Sequence, residues 1–219
     1  MLQMGISKLI EKGKNVVSFV KEKLSWIVEK LGEFIGIYPI DSQVEFTSEE
    51  ENLISKSTEI IKNRMPNGVS ATMQELNYYD RQAEVETIGN ELLELYGLDN
   101  TEIILTDSPD VFPQEENTLV RGLTDWDNNC IYINSALLKS NDGEVLKQVI
   151  VTLTHEIRHM MQKNVVSGMN KYGRTHRSRR IWGHNWSHYI GCGNDFESYY
   201  KQPIEVDARN FANRVVGAC

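Results

Sequence analysis

Apolar residues recur along residues 4–36 at spacings of three, four and seven, the period of one face of an α-helix. Lysine and glutamate fill the other positions in similar numbers. The pattern predicts an amphipathic helix that packs or oligomerises. A membrane-surface helix is the alternative, but such helices usually have a polar face rich in lysine and arginine, so the balanced charge disfavours it. Gly32, Gly36 and residues 37–43 predict a helix end followed by a linker.

Two further segments show helical spacing before the period changes. The first covers residues 46–65 and stops at the turn sequence MPNG, and Ser48 with Glu51 forms a capping-box pattern at its start. The second covers residues 79–96, and Gly97 follows it as the predicted C-cap. Both segments therefore predict helices with defined ends.

Strand-like segments follow in the middle of the chain. Residues 101–106 and 128–138 are rich in β-branched and aromatic residues and are bounded by turn residues. Helical spacing returns over residues 143–163, whereas residues 164–198 show no clear period. A last helix is predicted near Pro203, because proline suits the first turn of a helix. Helices, then grouped strands, then helices favour an α+β fold.

Composition and charge limit the function classes. The 219 residues are 40% hydrophobic and 25% charged, which is enough for one sizeable core. The formal net charge of −8 argues against a general nucleic-acid binder. Residues 171–180 are a basic exception, either a solvated loop or a surface that attracts acidic substrates or phosphate groups. The three cysteines, Cys130, Cys192 and Cys219, are odd in number and widely scattered, which is not the pattern of a disulfide framework.

The N-terminal segment bears on the cellular location. Lysine and glutamate interrupt its apolar residues, so that it lacks the pattern of a signal peptide. No run approaches the roughly 18 apolar residues of a membrane-spanning helix. We therefore expect a cytoplasmic protein in a reducing environment, with signal-independent export left open.

The segment HEIRH on the predicted helix at 143–163 carries the candidate chemistry. His155 and His159 are four residues apart, so that both imidazoles lie on one helical face and can reach one Zn²⁺ ion. Glu156 stands beside the metal and suits the general base that takes a proton from zinc-activated water. The alternative is a solvated patch, but the histidines follow the spacing of the flanking apolar residues, which favours a cleft.

A catalytic zinc site needs a third protein ligand and an open position for water. Glu205, in the first turn of the helix that begins near Pro203, is the best candidate. Asp207 and Asp127 are the competitors. An acidic residue in a first turn also occurs simply because it interacts favourably with the helix dipole.

The segments HEIRHMMQ and QPIEVDARNFA together resemble gluzincin-type zinc metallopeptidases, and most closely the ImmA/IrrE-like group common in phages and mobile elements. In that group a glutamate on a later helix is the third ligand, and an alanine follows it by three residues, as Ala208 follows Glu205 here. The segment GLTDWDNNCIYIN also resembles the strand before the active-site helix. The resemblance covers about residues 80–216, although Arg158 stands where many members have glycine.

The resemblance implies a zincin-like metallopeptidase domain over residues 66–219. This domain would hold a small, mainly antiparallel sheet, the HExxH helix and a C-terminal helix with the third ligand. Residues 1–45 are then an amphipathic segment with a linker, and the helix at 46–65 is expected to pack on the catalytic domain.

The rest of the expected cleft leaves several alternatives. Peptidases of this type need a donor for the oxyanion besides the metal. A histidine of the region 176–188 or a tyrosine near Glu205 suits that role, and the candidates are His188, Tyr199 and Tyr200. The same histidines suit packing of a loop over the site or, with Cys192, a second structural zinc. The strand CIYIN is a candidate lip at which an extended substrate pairs.

These residues predict a zinc metallopeptidase that hydrolyses a protein or peptide by metal-activated water. One alternative is a catalytically silent binding or structural protein that keeps the zincin fold. Another is a protein that recruits a partner or a membrane through its N-terminal helix. An intact Glu156 favours the enzyme, because holding a metal does not require that carboxylate.

Overall fold

The computed structural model describes residues 45–112, 119–169, 171–191 and 195–219. The amphipathic helix predicted within residues 4–36 lies outside the described residues. Its predicted roles in packing, oligomerisation or membrane binding therefore stay predictions.

The described residues form seven α-helices, three strands and one 3₁₀ helix. In chain order these are α1 (Ser48–Arg64), α2 (Val69–Glu75), α3 (Tyr78–Tyr96), β1 (Glu102–Thr106), β2 (Gly122–Asp125), β3 (Cys130–Asn134), the 3₁₀ helix (Ser135–Lys139), α4 (Gly143–Val166), α5 (His176–Ser187), α6 (Phe196–Tyr200) and α7 (Pro203–Val216). The predicted α+β class is confirmed. The helices predicted from periodicity correspond to α1, α3, α4 and α7, and the two predicted strands correspond to β1 and β3.

The sheet is mixed, whereas a mainly antiparallel sheet was expected. Its strand order is β1-β3-β2, with β1 parallel and β2 antiparallel to β3. The chain after β1 reaches the far edge of the sheet before it returns as β3, so that β3 fills the centre. The long connection between β1 and β3 allows them to be parallel, since parallel neighbours cannot be joined by a tight turn. The short, polar strand β2 has no alternating pattern, and periodicity did not predict it.

Helix α4 is the centre of the packing. The helices α2, α3, α5 and α7 and the strands β2 and β3 all contact it. Leu146, Ile150, Leu153 and Ile157 are fully buried along it. Each such side chain stabilises the fold by about 1.5–3 kcal/mol relative to exposure. The helix that carries HEIRH is therefore held rigidly on several sides.

Helix α1 packs against α3 and α7. Its capping box lies one residue earlier in the sequence than predicted. Thr47, not Ser48, is the N-cap, and Glu50, not Glu51, completes the capping box. The hydroxyl of Thr47 also donates to the carbonyl of Tyr172 at 2.6 Å. This tertiary contact, together with the complete burial of Glu50, selects one of two equally good local patterns.

Helix α5 was not predicted, because its sequence has few apolar residues among many basic and polar ones. Of its residues only Trp182 and Asn185 are buried. The basic segment 171–180 spans the preceding loop and the start of this helix. Two of its arginines have structural contacts: Arg174 joins buried carboxylates, and Arg179 donates to the carbonyl of Val166 near the end of α4.

Two observations bear on the expected cellular setting. Within the described ranges, no helix combines the length and the apolar character needed to cross a bilayer. Cys130 and Cys219 are free thiols. Cys192 lies outside the described residues, and so does the alternative of a second zinc site that includes it.

Candidate metal centre

His155, His159 and Glu205 converge from two helices. The two histidines lie one turn apart on α4, and Glu205 lies in the first turn of α7. The Nε2 atoms are 3.0 Å apart, His155 Nε2 lies 3.3 Å from Glu205 Oε2, and His159 Nε2 lies 3.4 Å from Glu205 Oε1. A tetrahedral zinc ion with ligands at about 2.0–2.1 Å has ligand-to-ligand edges of about 3.3–3.4 Å. The three side chains thus have nearly the spacing of three corners of such a site.

The carboxylate of Glu205 carries an unsatisfied oxygen. Glu205 is 1% exposed, and its Oε2 has no hydrogen-bond partner among the described residues, although His155 Nε2 is 3.3 Å away. Buried polar atoms are normally paired, and an unpaired carboxylate oxygen is costly. A divalent cation between the carboxylate and the imidazoles would satisfy it. The donor set of two nitrogens and one oxygen suits zinc.

The electrostatics of the cluster favour a positive charge at its centre. Burial alone raises the pKa of Glu205, but the charge of His159 and the closeness of both imidazoles outweigh it and hold the pKa well below its usual value. Burial lowers the pKa of His159, but Glu205 opposes this and raises it to about 9. Without a cation, the site therefore retains a proton at neutral pH.

Glu156 lies beside the triad and faces strand β2. The hydroxyl of Thr124 donates to its Oε2 at 2.6 Å. A Cβ atom on Gly122 would lie 2.6 Å from Thr152 Cγ2 and 3.0 Å from Glu156 Cγ, so that glycine allows the strand to approach this close. Sequence reasoning gave Thr124 no role: β2 has no periodic signal, and the resemblance of the segment GLTDWDNNCIYIN to a strand did not single out this residue.

The competing third ligands do not join the triad. Asp207 is buried, but Arg158, Arg174 and Gln162 occupy its carboxylate. Asp127 is exposed, in the turn between β2 and β3. The structure brings only Glu205, of the three acidic candidates, to the imidazoles.

The predicted oxyanion donors lie in different places. His188 is exposed, stacks on His184 with ring centroids 4.3 Å apart, and hydrogen-bonds Ser187 and the His184 carbonyl. The ring of Tyr200 lies 3.6 Å from the guanidinium of Arg209. Neither side chain hydrogen-bonds the triad within the described part of the chain. Tyr199 packs edge-on against Tyr189 with centroids 6.2 Å apart.

Tyr189 is the tyrosine that reaches the triad. Its hydroxyl donates to Glu205 Oε1 at 2.9 Å, and its ring stacks on Trp186 with centroids 5.4 Å apart. Burial and the neighbouring carboxylate of Glu205 raise the pKa of Tyr189, so that its hydroxyl stays protonated and remains a donor. No spacing relative to HEIRH marks this residue, and sequence reasoning missed it.

The predicted lip of the cleft is corrected. The strand CIYIN is β3, which lies at the centre of the sheet and already pairs with β1 and β2. It therefore has no free edge for a substrate strand. Among the described residues, the edge strand next to Glu156 is β2.

Comparisons of the chain with protein-family models, with curated proteins and with solved structures gave no match. The resemblance to gluzincin peptidases therefore stays a prediction from the residues of the two motifs.

Proposed function

We propose that this protein is a zinc-dependent metallopeptidase of the gluzincin type with a zincin-like fold. The observation that carries the proposal is the convergence of His155, His159 and Glu205 at zinc-like separations, with one carboxylate oxygen left unsatisfied. The position of Glu156 next to the first histidine supports catalysis rather than metal storage, because metal retention requires no second carboxylate.

The side chains of the site divide the work of peptide hydrolysis. His155, His159 and Glu205 hold the zinc ion, which when bound supplies a Lewis acid and lowers the pKa of water. Glu156 accepts a proton from the attacking water and passes it to the leaving amine. The hydrogen bond from the Thr124 hydroxyl to Oε2 orients the Glu156 carboxylate. The other carboxylate oxygen, Oε1, takes no part in this bond.

The substrate is proposed to be an extended peptide or protein segment. Strand β2 pairs with β3 on one side, and within the described residues its other side carries no strand. An added strand there would hydrogen-bond the β2 backbone. Thr124 on β2 touches the proposed base, so that a segment paired with β2 would lie next to Glu156.

The metal part of the proposal is tested by elemental analysis of the purified full chain. The unaltered protein is expected to contain about one zinc ion per chain. His155→Ala should lose it, because only two ligands remain. The matched control is His184→Ala, which removes a histidine that stacks on His188 and should leave the zinc content unchanged. An unaltered chain that takes up no zinc ends the proposal.

The catalytic part is tested with Glu156→Ala. This variant keeps all three ligands and is expected to retain zinc while it loses cleavage, measured by profiling new peptide termini in a proteome treated with each protein. Cleavage that persists in Glu156→Ala contradicts the role of the base. Full biological activity of a cleavage-deficient Glu156→Ala chain would instead support a silent zincin-fold protein.

A further inference from the structure

The side chain of Gln162 connects His159 with the helix that carries Glu205. Its Oε1 lies 2.8 Å from His159 Nδ1, the ring nitrogen that faces away from the triad. Its Nε2 donates to the Ile204 carbonyl at 2.9 Å and to Asp207 Oδ2 at 2.8 Å. Gln162 is completely buried, so water does not compete for these bonds.

The partners of Gln162 on helix α7 determine which way its amide group points, and so the direction of each hydrogen bond. The Ile204 carbonyl can only accept, and the Asp207 carboxylate, paired with arginines, can only accept as well. The NH₂ group of Gln162 must therefore face Ile204 and Asp207, and its oxygen must face His159. An amide oxygen can only accept, so that His159 Nδ1 must carry the proton. The lone pair available to a metal is then on Nε2, which faces Glu205.

Asp207 is itself fixed in orientation. Arg158 Nε lies 2.7 Å from Oδ2, and Arg174 Nη2 lies 3.1 Å from Oδ1. Both arginines also pair with the buried Glu50, at 2.6 and 2.7 Å. Two guanidinium groups and two carboxylates thus form a buried cluster without net charge, and the carboxylate of Asp207 is held from both sides.

We propose that Gln162 is a positioning residue of the metal site, which holds His159 in the tautomer with the proton on Nδ1 and aims Nε2 at the ion. Asp207 sets the orientation of Gln162. This inference rests on the proposed metal site. A glutamate at position 162 would not serve, because its carboxylate would lie next to that of Asp207 without a proton to share.

The test compares Gln162→Met with Glu50→Gln in the full chain. Methionine has a similar length and removes both the acceptor and the donor. Glu50→Gln is the matched control, because it weakens the same buried cluster and leaves the bonds of Gln162 in place. Zinc affinity is measured by competition with a coloured chelator, and folding by thermal unfolding of the zinc-free chains.

Gln162→Met is expected to lower zinc affinity by about 10- to 100-fold, the range found when a ligand histidine loses its outer partner. Glu50→Gln is expected to lower the unfolding temperature and to keep the zinc affinity of the unaltered chain. Equal zinc affinity of Gln162→Met and the unaltered chain overturns the proposal. An equal loss of zinc affinity in Gln162→Met and Glu50→Gln also overturns it, because the loss would then come from lower stability of the fold.

Imidazole ¹⁵N NMR of the unaltered, zinc-loaded chain measures directly which ring nitrogen of His159 carries the proton, without any substitution. The expected spectrum shows the His159 proton on Nδ1 and none on Nε2, and the reverse assignment overturns the inference. If the unaltered chain takes up no zinc, the proposed function fails, and the metal role of Gln162 fails with it. If the chain binds zinc but the tautomer is reversed, only this inference fails.

Discussion

Arg158 Nε lies 2.7 Å from Asp207 Oδ2 and so joins the helix that carries both histidines to the helix that carries Glu205. Both side chains are buried, and Arg158 also pairs with Glu50 at 2.6 Å. The guanidinium lies 4.7 Å from the ring centroid of Phe211. Arg158 thus holds together three helices at a point one residue from the second histidine.

Replacement of Arg158 by methionine is expected to lower the free energy of unfolding by about 3–5 kcal/mol, because one buried negative charge is then uncompensated. The buried carboxylates of Glu50 and Asp207 are left with Arg174 as their remaining guanidinium partner. The control is Arg214→Gln, which breaks an exposed pair with Glu51 that also joins α7 to α1. Exposed pairs contribute under about 1 kcal/mol. Urea denaturation of both variants measures the difference. Similar losses in the two variants would contradict a structural role for the buried cluster.

The hydrogen bond from Thr124 to Glu156 predicts a catalytic effect without metal loss. Thr124→Val keeps the shape of the side chain but removes the donor at 2.6 Å from Oε2. We expect kcat to fall by about 10- to 100-fold, as when a hydrogen bond to a charged group is lost, while zinc content stays the same. Thr87→Val, which removes a hydroxyl bonded within its own helix, is the control. An unchanged kcat in Thr124→Val argues against orientation of the base by this bond.

The contact of Tyr189 with Glu205 predicts which tyrosine assists the reaction. Its hydroxyl is a protonated donor at the edge of the triad, where it can stabilise negative charge that develops on the substrate carbonyl oxygen. Tyr189→Phe is expected to lower kcat by about 10²- to 10³-fold and to retain zinc. Tyr200→Phe, whose ring lies over Arg209, should keep full activity. A larger loss from Tyr200→Phe would assign the oxyanion donor to the other tyrosine.

The pKa of His159 predicts how zinc binding depends on pH. The carboxylate of Glu205 raises this pKa to about 9 in the metal-free site, so that at neutral pH zinc must displace a proton. Apparent zinc affinity should therefore rise by about tenfold per pH unit between about pH 6 and about pH 8, and level off above about pH 9. Titration calorimetry in buffers of different protonation enthalpy counts the released protons. A pH-independent affinity with no proton release would show that His159 is neutral before zinc binds.

The sequence by itself determined the elements whose signals are local. HEIRH lies within one apolar-periodic helix, so the i, i+4 spacing alone placed His155 and His159 on one face. Pro203 began the last helix where expected and so put Glu205 in its first turn. Spacing along a helix is a property of neighbouring residues, and no tertiary contact is needed to recognise it.

The tertiary structure alone decided the contacts between segments that are far apart in the chain. Strand β2 and its Thr124, the contact of Tyr189 with Glu205, and the bonds of Gln162 to the α7 helix all lack a periodic signal. The capping of α1 by Thr47 rather than Ser48 was likewise set by a partner 125 residues away. Short polar segments fit many local conformations about equally well, and burial against a particular partner selects one of them.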